Sequence, residues 1–183
     1  MRLSTYLFST GRTYHLLCAK FAWLLGIAHY LQILRNNLMF DIYVERVIDK
    51  DINTVFELMA DHEGSSQFRG IKNVKLLEPG DSEKNGVGAL RQVDLGAVKF
   101  NERITCFERP HRMEYMIEKS SPLPFKHEQG TITLQEDNGG TRVIWISKGT
   151  INIPILGALL LDKIFERKGN QGFGSLLKQL SEL

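Results

Sequence analysis

From residue 71 to residue 153 the chain alternates apolar and polar side chains with period two, and it then ends in a long stretch with apolar residues at helical spacing. No other feature constrains the fold as strongly. Turn chemistry breaks the alternation into successive runs: VKLLEP, GALRQVDL, KFNERITCFE, MEYMIEK, HEQGTITLQE and TRVIWISKGTINI. Between them lie GDSEKNG, Gly96, RPHR, SSPLP and DNGG. Asp137, Asn138, Gly139 and Gly140 form the clearest hairpin signal, because they tolerate the positive φ angles of a tight turn. A strand turns alternate side chains to opposite faces, so each run presents one apolar face, and those faces need a common cover.

The flanking segments supply that cover. Phe40 to Ile48 reads as a further strand, with Phe40, Ile42, Val44 and Arg46 on one side and Tyr43, Glu45 and Val47 on the other. Asp51 is a candidate N-cap, and Ile52, Val55, Phe56 and Met59 form the stripe of an amphipathic helix. Asp61 to Gly70 reads as a second short helix or turn. After Pro154, the residues Leu156, Leu160, Ile164, Phe173, Leu176, Leu177 and Leu180 mark one face of a long helix. Gly169, Gly172 and Gly174 interrupt it at about 1 kcal/mol each relative to Ala, so either the helix kinks there or a close neighbour needs the missing side chains.

No strand-helix-strand alternation supplies parallel crossovers, so the fold class is α+β. The expected architecture is a curved antiparallel sheet of about seven strands around the long C-terminal helix, with two short helices after the first strand. A sheet curved over one helix leaves interior volume that side chains do not fill, and such apolar space binds ligands.

Composition limits the alternatives. With 183 residues, 43% hydrophobic and 24% charged, the chain is globular and holds one domain with an appendage. The domain is expected over residues 40–183, with residues 1–39 as a basic, apolar extension. Arg2, Arg12, Lys20 and Arg35 give that extension basic groups and no acidic ones, which leaves the domain mildly acidic despite the net charge of +2. Such a domain does not gather phosphates, which argues against a nucleic-acid partner. Residues 14–34 are apolar, but His15, Lys20, His29 and Gln32 break them, which argues against a bilayer span. A signal peptide, an organellar presequence, an interfacial helix and a start-site artefact remain as readings of the segment. Cys18 and Cys106 lie far apart without metal or disulfide spacing, and Cys106 reads as a buried small hydrophobe.

The stretches VERVIDKDINTVFELMAD (44–61), GVGALRQV (86–93), NERITCFERPHRMEY (101–115), GTITLQEDNGGTRVIW (130–145) and the terminal LLKQLSEL carry a resemblance. In their order and spacing the chain resembles the START-like, or SRPBCC, superfamily, within its polyketide cyclase/dehydrase-like group related to the birch-pollen allergen and coenzyme-Q-binding proteins. The resemblance implies a helix-grip fold whose cavity, between sheet and C-terminal helix, takes lipids, polyketides, steroids or quinones, mostly without chemistry.

Within that frame the inward positions are candidate ligand contacts: Phe68, Arg91, Glu102, Ile104, Met113, Tyr115, Ile117, Val143, Trp145 and Phe173. Tyr115 and Trp145 suit a ligand wall and an ordinary core equally well. Val87, Ala89, Arg91 and Val93 alternate with one charge among apolar residues, as do Glu102, Ile104 and Cys106. Arg91 and Glu102 read either as a cavity ion pair that orients a ligand or as a strand-end salt bridge. His127 reads as a surface histidine facing away from Glu128, and His29, His62 and His111 have no partners at metal-ligand spacing. Neither a catalytic constellation nor a metal or cofactor site is expected.

The expected function is binding or transport of one hydrophobic small molecule, a lipid, quinone or polyketide-like compound, by a cytoplasmic protein. One alternative is a cyclase or dehydratase acting through Arg91, Glu102 and Tyr115. Another is a lipid-transfer module held weakly at a membrane surface by residues 1–38. The sequence does not distinguish oligomeric states.

Overall fold

Strand β1 (Phe40–Ile48) buries Phe40, Ile42 and Ile48 and exposes Asp41, Tyr43, Glu45 and Val47, as alternation requires of a strand with one covered face. It opens the unit Met39–Leu183 of the computed structural model, which describes residues 39–153 and 160–183. The expectations placed on residues 1–38, Pro154 and Leu156 lie outside the described residues.

Helix α1 (Ile52–Ala60) follows at once. Asp51 caps it, its carboxylate accepting from the amides of Asn53 and Thr54 at 3.1 and 3.0 Å. Its buried stripe is Ile52, Val55, Phe56, Met59 and Ala60. A short 3-10 turn (Gly64–Gln67) leads to β2 (Asn73–Glu78), β3 (Leu90–Asp94), β4 (Lys99–Glu108), β5 (Arg112–Ser121), β6 (Phe125–Asp137) and β7 (Gly140–Ile151). Asn138 and Gly139 take φ of 51° and 90° at the β6–β7 hairpin, where Asp137 faces Gly140. All neighbours pair antiparallel in one seven-stranded sheet of order β1-β7-β6-β5-β4-β3-β2. The α+β helix-grip expected from the sequence is the observed fold.

Four aromatic rings define the curvature. Phe40 on β1, Phe100 on β4, Phe125 on β6 and Phe165 on the C-terminal helix α2 (Asp162–Glu182) meet edge to face, with centroids 4.8 Å apart for Phe40–Phe165, 5.0 Å for Phe100–Phe125 and 4.7 Å for Phe125–Phe165. In a flat sheet β1 and β4, four strand spacings apart, would be separated by roughly 19 Å. Their contact with one helical ring requires the sheet to wrap.

The helix lies on β1. The amides of Asp41 and Tyr43, which point to the free edge, donate to Glu166 Oε2 at 2.9 Å and Asn170 Oδ1 at 3.1 Å, so the helix satisfies an edge that would otherwise template further pairing. At the helix start, buried Asp162 accepts from the Ile151 amide at 2.7 Å and ties α2 to the end of β7. Burial pushes its carboxyl pKa up.

Three details depart from the sequence reading. Leu160 and Ile164 are 53% and 39% exposed, because the buried stripe runs instead through Asp162, Phe165, Gly169, Phe173, Leu177 and Leu180. Val87 is exposed in the turn before β3, which starts only at Leu90. Cys106 is half-buried, since the register shifts between Ile104 and Cys106 and takes the thiol out of the inward row. Of the two explanations for the helix glycines, close approach holds at Gly169, where a Cβ would sit 2.2 Å from Ile42 Cδ1 and 2.8 Å from its Cγ1.

In an uncrowded helix Gly169→Ala would stabilise by about 1 kcal/mol. Here Ile42 is fully buried and has no room to give, so the variant should instead destabilise by about 1–3 kcal/mol in urea denaturation. Adding Ile42→Ala should make the Ala at 169 neutral or favourable relative to Ile42→Ala alone.

Candidate functional site

The inward face of the sheet is largely apolar, with Arg46 of β1 and Thr141 of β7 among its polar exceptions, and a row of polar side chains crosses it. At its β3 end Arg91 stands directly opposite Glu102 of β4. Arg91 Nε donates to Glu102 Oε2 at 3.0 Å, and Nη2 approaches the same oxygen at 2.9 Å. Their side chains are 12% and 10% exposed, so this is a buried ion pair in the interior and not a salt bridge in solvent. Sequence alternation placed both residues inward; it left open which kind of pair they form.

The row continues on β5. The Arg91 guanidinium carbon lies 5.8 Å from the centroid of the Tyr115 ring. That ring covers Gly130 of β6, where a Cβ would come within 2.6 Å of its Cε2 and Cζ atoms, so any other residue at 130 would displace it. Trp145 of β7 donates its indole N–H to the Tyr115 hydroxyl at 3.1 Å and stacks on Phe173 of α2, with centroids 4.1 Å apart at 21°. Burial, and next the carboxylate of Glu102, push the Tyr115 pKa up, so the phenol keeps its proton.

His127 corrects the sequence reading. It is buried at 8% exposure, with its ring stacked on Tyr115 at 5.4 Å and 19°. Gly130, Ile132 and Leu134 are buried on β6, so strict alternation would turn Glu128 inward and His127 outward. The register between β6 and β7 shifts between His127 and Gln129, with Glu128 as the extra residue, and the bulge turns His127 to the inner face. The β5–β6 ladder pairs Arg112–Glu114 with Thr131–Thr133; farther along, the Ile117 amide donates to His127 Nδ1 at 3.2 Å. The other ring nitrogen, Nε2, lies 3.1 Å from Ser147 Oγ. Only Gly130 hinted at this arrangement in the sequence.

His62, after the end of α1, was set aside in the sequence for want of a metal-ligand partner. It is fully buried, and neither ring nitrogen has a hydrogen-bond partner among the described residues. Burial first, and the Arg91 charge second, lower its pKa to about 2; burial lowers that of His127 to about 4. Both imidazoles are therefore neutral at pH 7.

Of the ten candidate residues, Arg91, Glu102, Tyr115, Trp145 and Phe173 are joined by direct contacts. Phe68, Ile104, Met113, Ile117 and Val143 belong to the surrounding apolar core. Among the described residues no group of three or more His, Cys, Asp or Glu side chains is arranged to hold a metal ion. Chemically the row offers an ion pair, a protonated phenol and neutral imidazoles, which orient a polar group more readily than they transfer its protons.

Comparison with known proteins agrees with the fold. The sequence model of the family described as polyketide cyclase / dehydrase and lipid transport matches residues 39–180. No curated protein matches the sequence. Among solved structures, TTHA0849 from Thermus thermophilus superposes with a TM-score of 0.64 at 22% identity, covering 78% of this chain and 94% of that one. A START superfamily protein from Mycobacterium smegmatis gives 0.59 at 12% identity, over 79% and 94%. The di-domain ARO/CYC BexL from the BE-7585A biosynthetic pathway gives 0.62 at 16% identity, over 93% of this chain and 58% of that one. At these identities the likeness is one of fold.

Two outcomes follow from the row. Both histidines have folded-state pKa values below the ordinary 6.5, so between about pH 4 and 6.5 the unfolded chain binds protons that the folded chain does not. Stability should therefore rise with pH through that window, by about 1.4 kcal/mol per pH unit for each histidine, as read by urea unfolding at fixed ionic strength. Removing one ion-pair partner in Arg91→Met should cost about 3–5 kcal/mol, and Arg91→Met/Glu102→Leu should recover most of it, because only the single variant strands a buried charge. A single variant as stable as wild type would show that Glu102 reaches solvent.

Proposed function

The chain belongs to the polyketide cyclase / dehydrase and lipid-transport family, and on that premise we propose that it binds one apolar small molecule between the concave face of the sheet and α2. It acts in this reading as a carrier or sensor and not as a catalyst. The observation that carries the proposal is the Arg91–Glu102 pair held inside a largely apolar face and continued by Tyr115. Such a pair seldom stabilises a fold more than packed hydrophobes would, so its presence there is better explained by a ligand with a polar end than by stability. Ile104, Ile117, Trp145 and Phe173 supply apolar surface for the rest of the molecule, worth about 25 cal/mol for each Å² removed from water.

The buried groups favour this reading over cyclisation or dehydration. A proton-transfer catalyst needs a group with a pKa near the working pH, whereas Tyr115 is shifted upward, His127 is shifted downward to about 4, and both His127 nitrogens are engaged. The lipid-transfer alternative rests on residues 1–38. Among the described residues no helix is long and apolar enough to cross a membrane.

Native mass spectrometry of the full chain purified from its own host tests the proposal. The expected result is a bound apolar molecule released on denaturation. Trp145 is the only tryptophan among the described residues, so Trp23→Phe isolates its fluorescence. In that variant the neutral naphthalene dye N-phenyl-1-naphthylamine, bound between sheet and helix, should quench Trp145 by energy transfer. A ligand-free protein that neither binds the dye nor shows quenching would remove the reading.

A further inference from the structure

The hydrogen bonds around Tyr115 have a direction, and the direction identifies the kind of polar end a ligand needs. The backbone amide of Ile117 can only donate, so His127 Nδ1, 3.2 Å away, must accept and carries no proton. His127 is neutral at pH 7, so its one ring proton is on Nε2, which donates to Ser147 Oγ at 3.1 Å. The Trp145 indole N–H can likewise only donate, and it does so to Tyr115 Oη at 3.1 Å. The Ser147 and Tyr115 hydroxyls thus each accept from a fixed donor.

The proton balance follows. The Ile117, His127 and Trp145 N–H groups and the Ser147 and Tyr115 hydroxyls bring five protons to three contacts. The two hydroxyls could share at most one bond with each other, so at least one hydroxyl proton of the Tyr115–Ser147 pair has no acceptor among the hydrogen bonds of the described residues. Two fixed donors, His127 and Trp145, each feed one of these hydroxyls, so the pair has a proton left to donate onward. Beside it the Arg91 charge is already met by Glu102, whose carboxylate would repel an anion.

We infer that the Tyr115–Ser147 pair supplies an unpaired hydrogen-bond donor inside the ligand site and that the site selects a neutral acceptor, a ketone, quinone or ester carbonyl, over a hydroxyl, a carboxylate or a plain hydrocarbon. His127 is a positioning residue in this scheme: its tautomer, set by the Ile117 amide, makes the pair a donor. The inference rests on the apolar-ligand reading above and narrows it.

Three rigid probes of one shape, 9-fluorenone, 9-fluorenol and fluorene, test it on the full chain. Fluorenone should bind about 5- to 50-fold more tightly than fluorene, the effect of meeting a buried donor that otherwise stays unpaired, and fluorenol should not exceed fluorenone. The infrared carbonyl band of bound fluorenone should lie below its position in hydrocarbon solvent, and Tyr115→Phe should move it back upward. The long-range 1H–15N spectrum of the ligand-free protein should show His127 protonated on Nε2.

Should Tyr115→Phe fail to fold, the wild-type band and the His127 tautomer still decide. Equal binding of fluorenone and fluorene, a preference for fluorenol, an unshifted carbonyl band or an Nδ1-protonated His127 would each overturn the donor assignment and leave the apolar-ligand reading standing. Failure of all three probes to bind would overturn both.

Discussion

Contact among Phe40, Phe100, Phe125 and Phe165 is the constraint on which the rest of the structure depends. It joins strands four places apart in the sheet order through a ring on the C-terminal helix. Each edge-to-face pair contributes about 0.5–1.5 kcal/mol beyond the burial of its area, and the cluster sits at the end of the sheet near the start of α2. Curvature and helix placement are thereby coupled. The same wrap that brings β4 toward β1 turns the middle of β3, β4 and β5 toward the helix, and so gathers Arg91, Glu102 and Tyr115 from three strands into one row.

The helix is held by two kinds of contact with different consequences. Glu166 and Asn170 satisfy edge amides of β1, while Gly169 lets the helix axis approach Ile42 more closely than any side chain would permit. Farther along, Phe173 stacks on Trp145, and Leu177 and Leu180 enter the core. The glycine thus costs intrinsic helix stability in exchange for proximity, and that proximity brings Phe173 within stacking distance of Trp145. A helix standing off the sheet would lose that wall of the site first.

The fold was legible in the sequence because period-two runs, the Asp-Asn-Gly-Gly turn, the Asp51 cap and a long helical stripe all agree with it. The inward placement of Arg91, Glu102, Tyr115 and Trp145 was equally legible, since it needs only alternation within single strands. His127 was not, because a bulge at Glu128 inverts the parity of β6 there, and parity is the whole content of an alternation argument. Leu160 and Ile164 misled for a related reason. A stripe drawn through leucine and isoleucine misses a buried face that also uses Asp162, whose role is a hydrogen bond to Ile151, and Gly169, which has no side chain.

These departures from regular pairing are not scattered. The register shifts between Asn101 and Glu102 and between His127 and Gln129 each adjoin a residue of the polar row. Where the β5–β6 ladder gives out, an imidazole accepts the Ile117 amide proton in place of a carbonyl. A backbone carbonyl there would have ended the hydrogen-bond chain on the spot. An imidazole passes it on, because accepting at one nitrogen obliges the ring to donate from the other. The bulge therefore converts a local gap in the sheet into a polarised line running from Ile117 through His127 to the Ser147 hydroxyl. Regular pairing would close the gap and hold the strands together, but it would leave the Ser147 hydroxyl without its fixed donor.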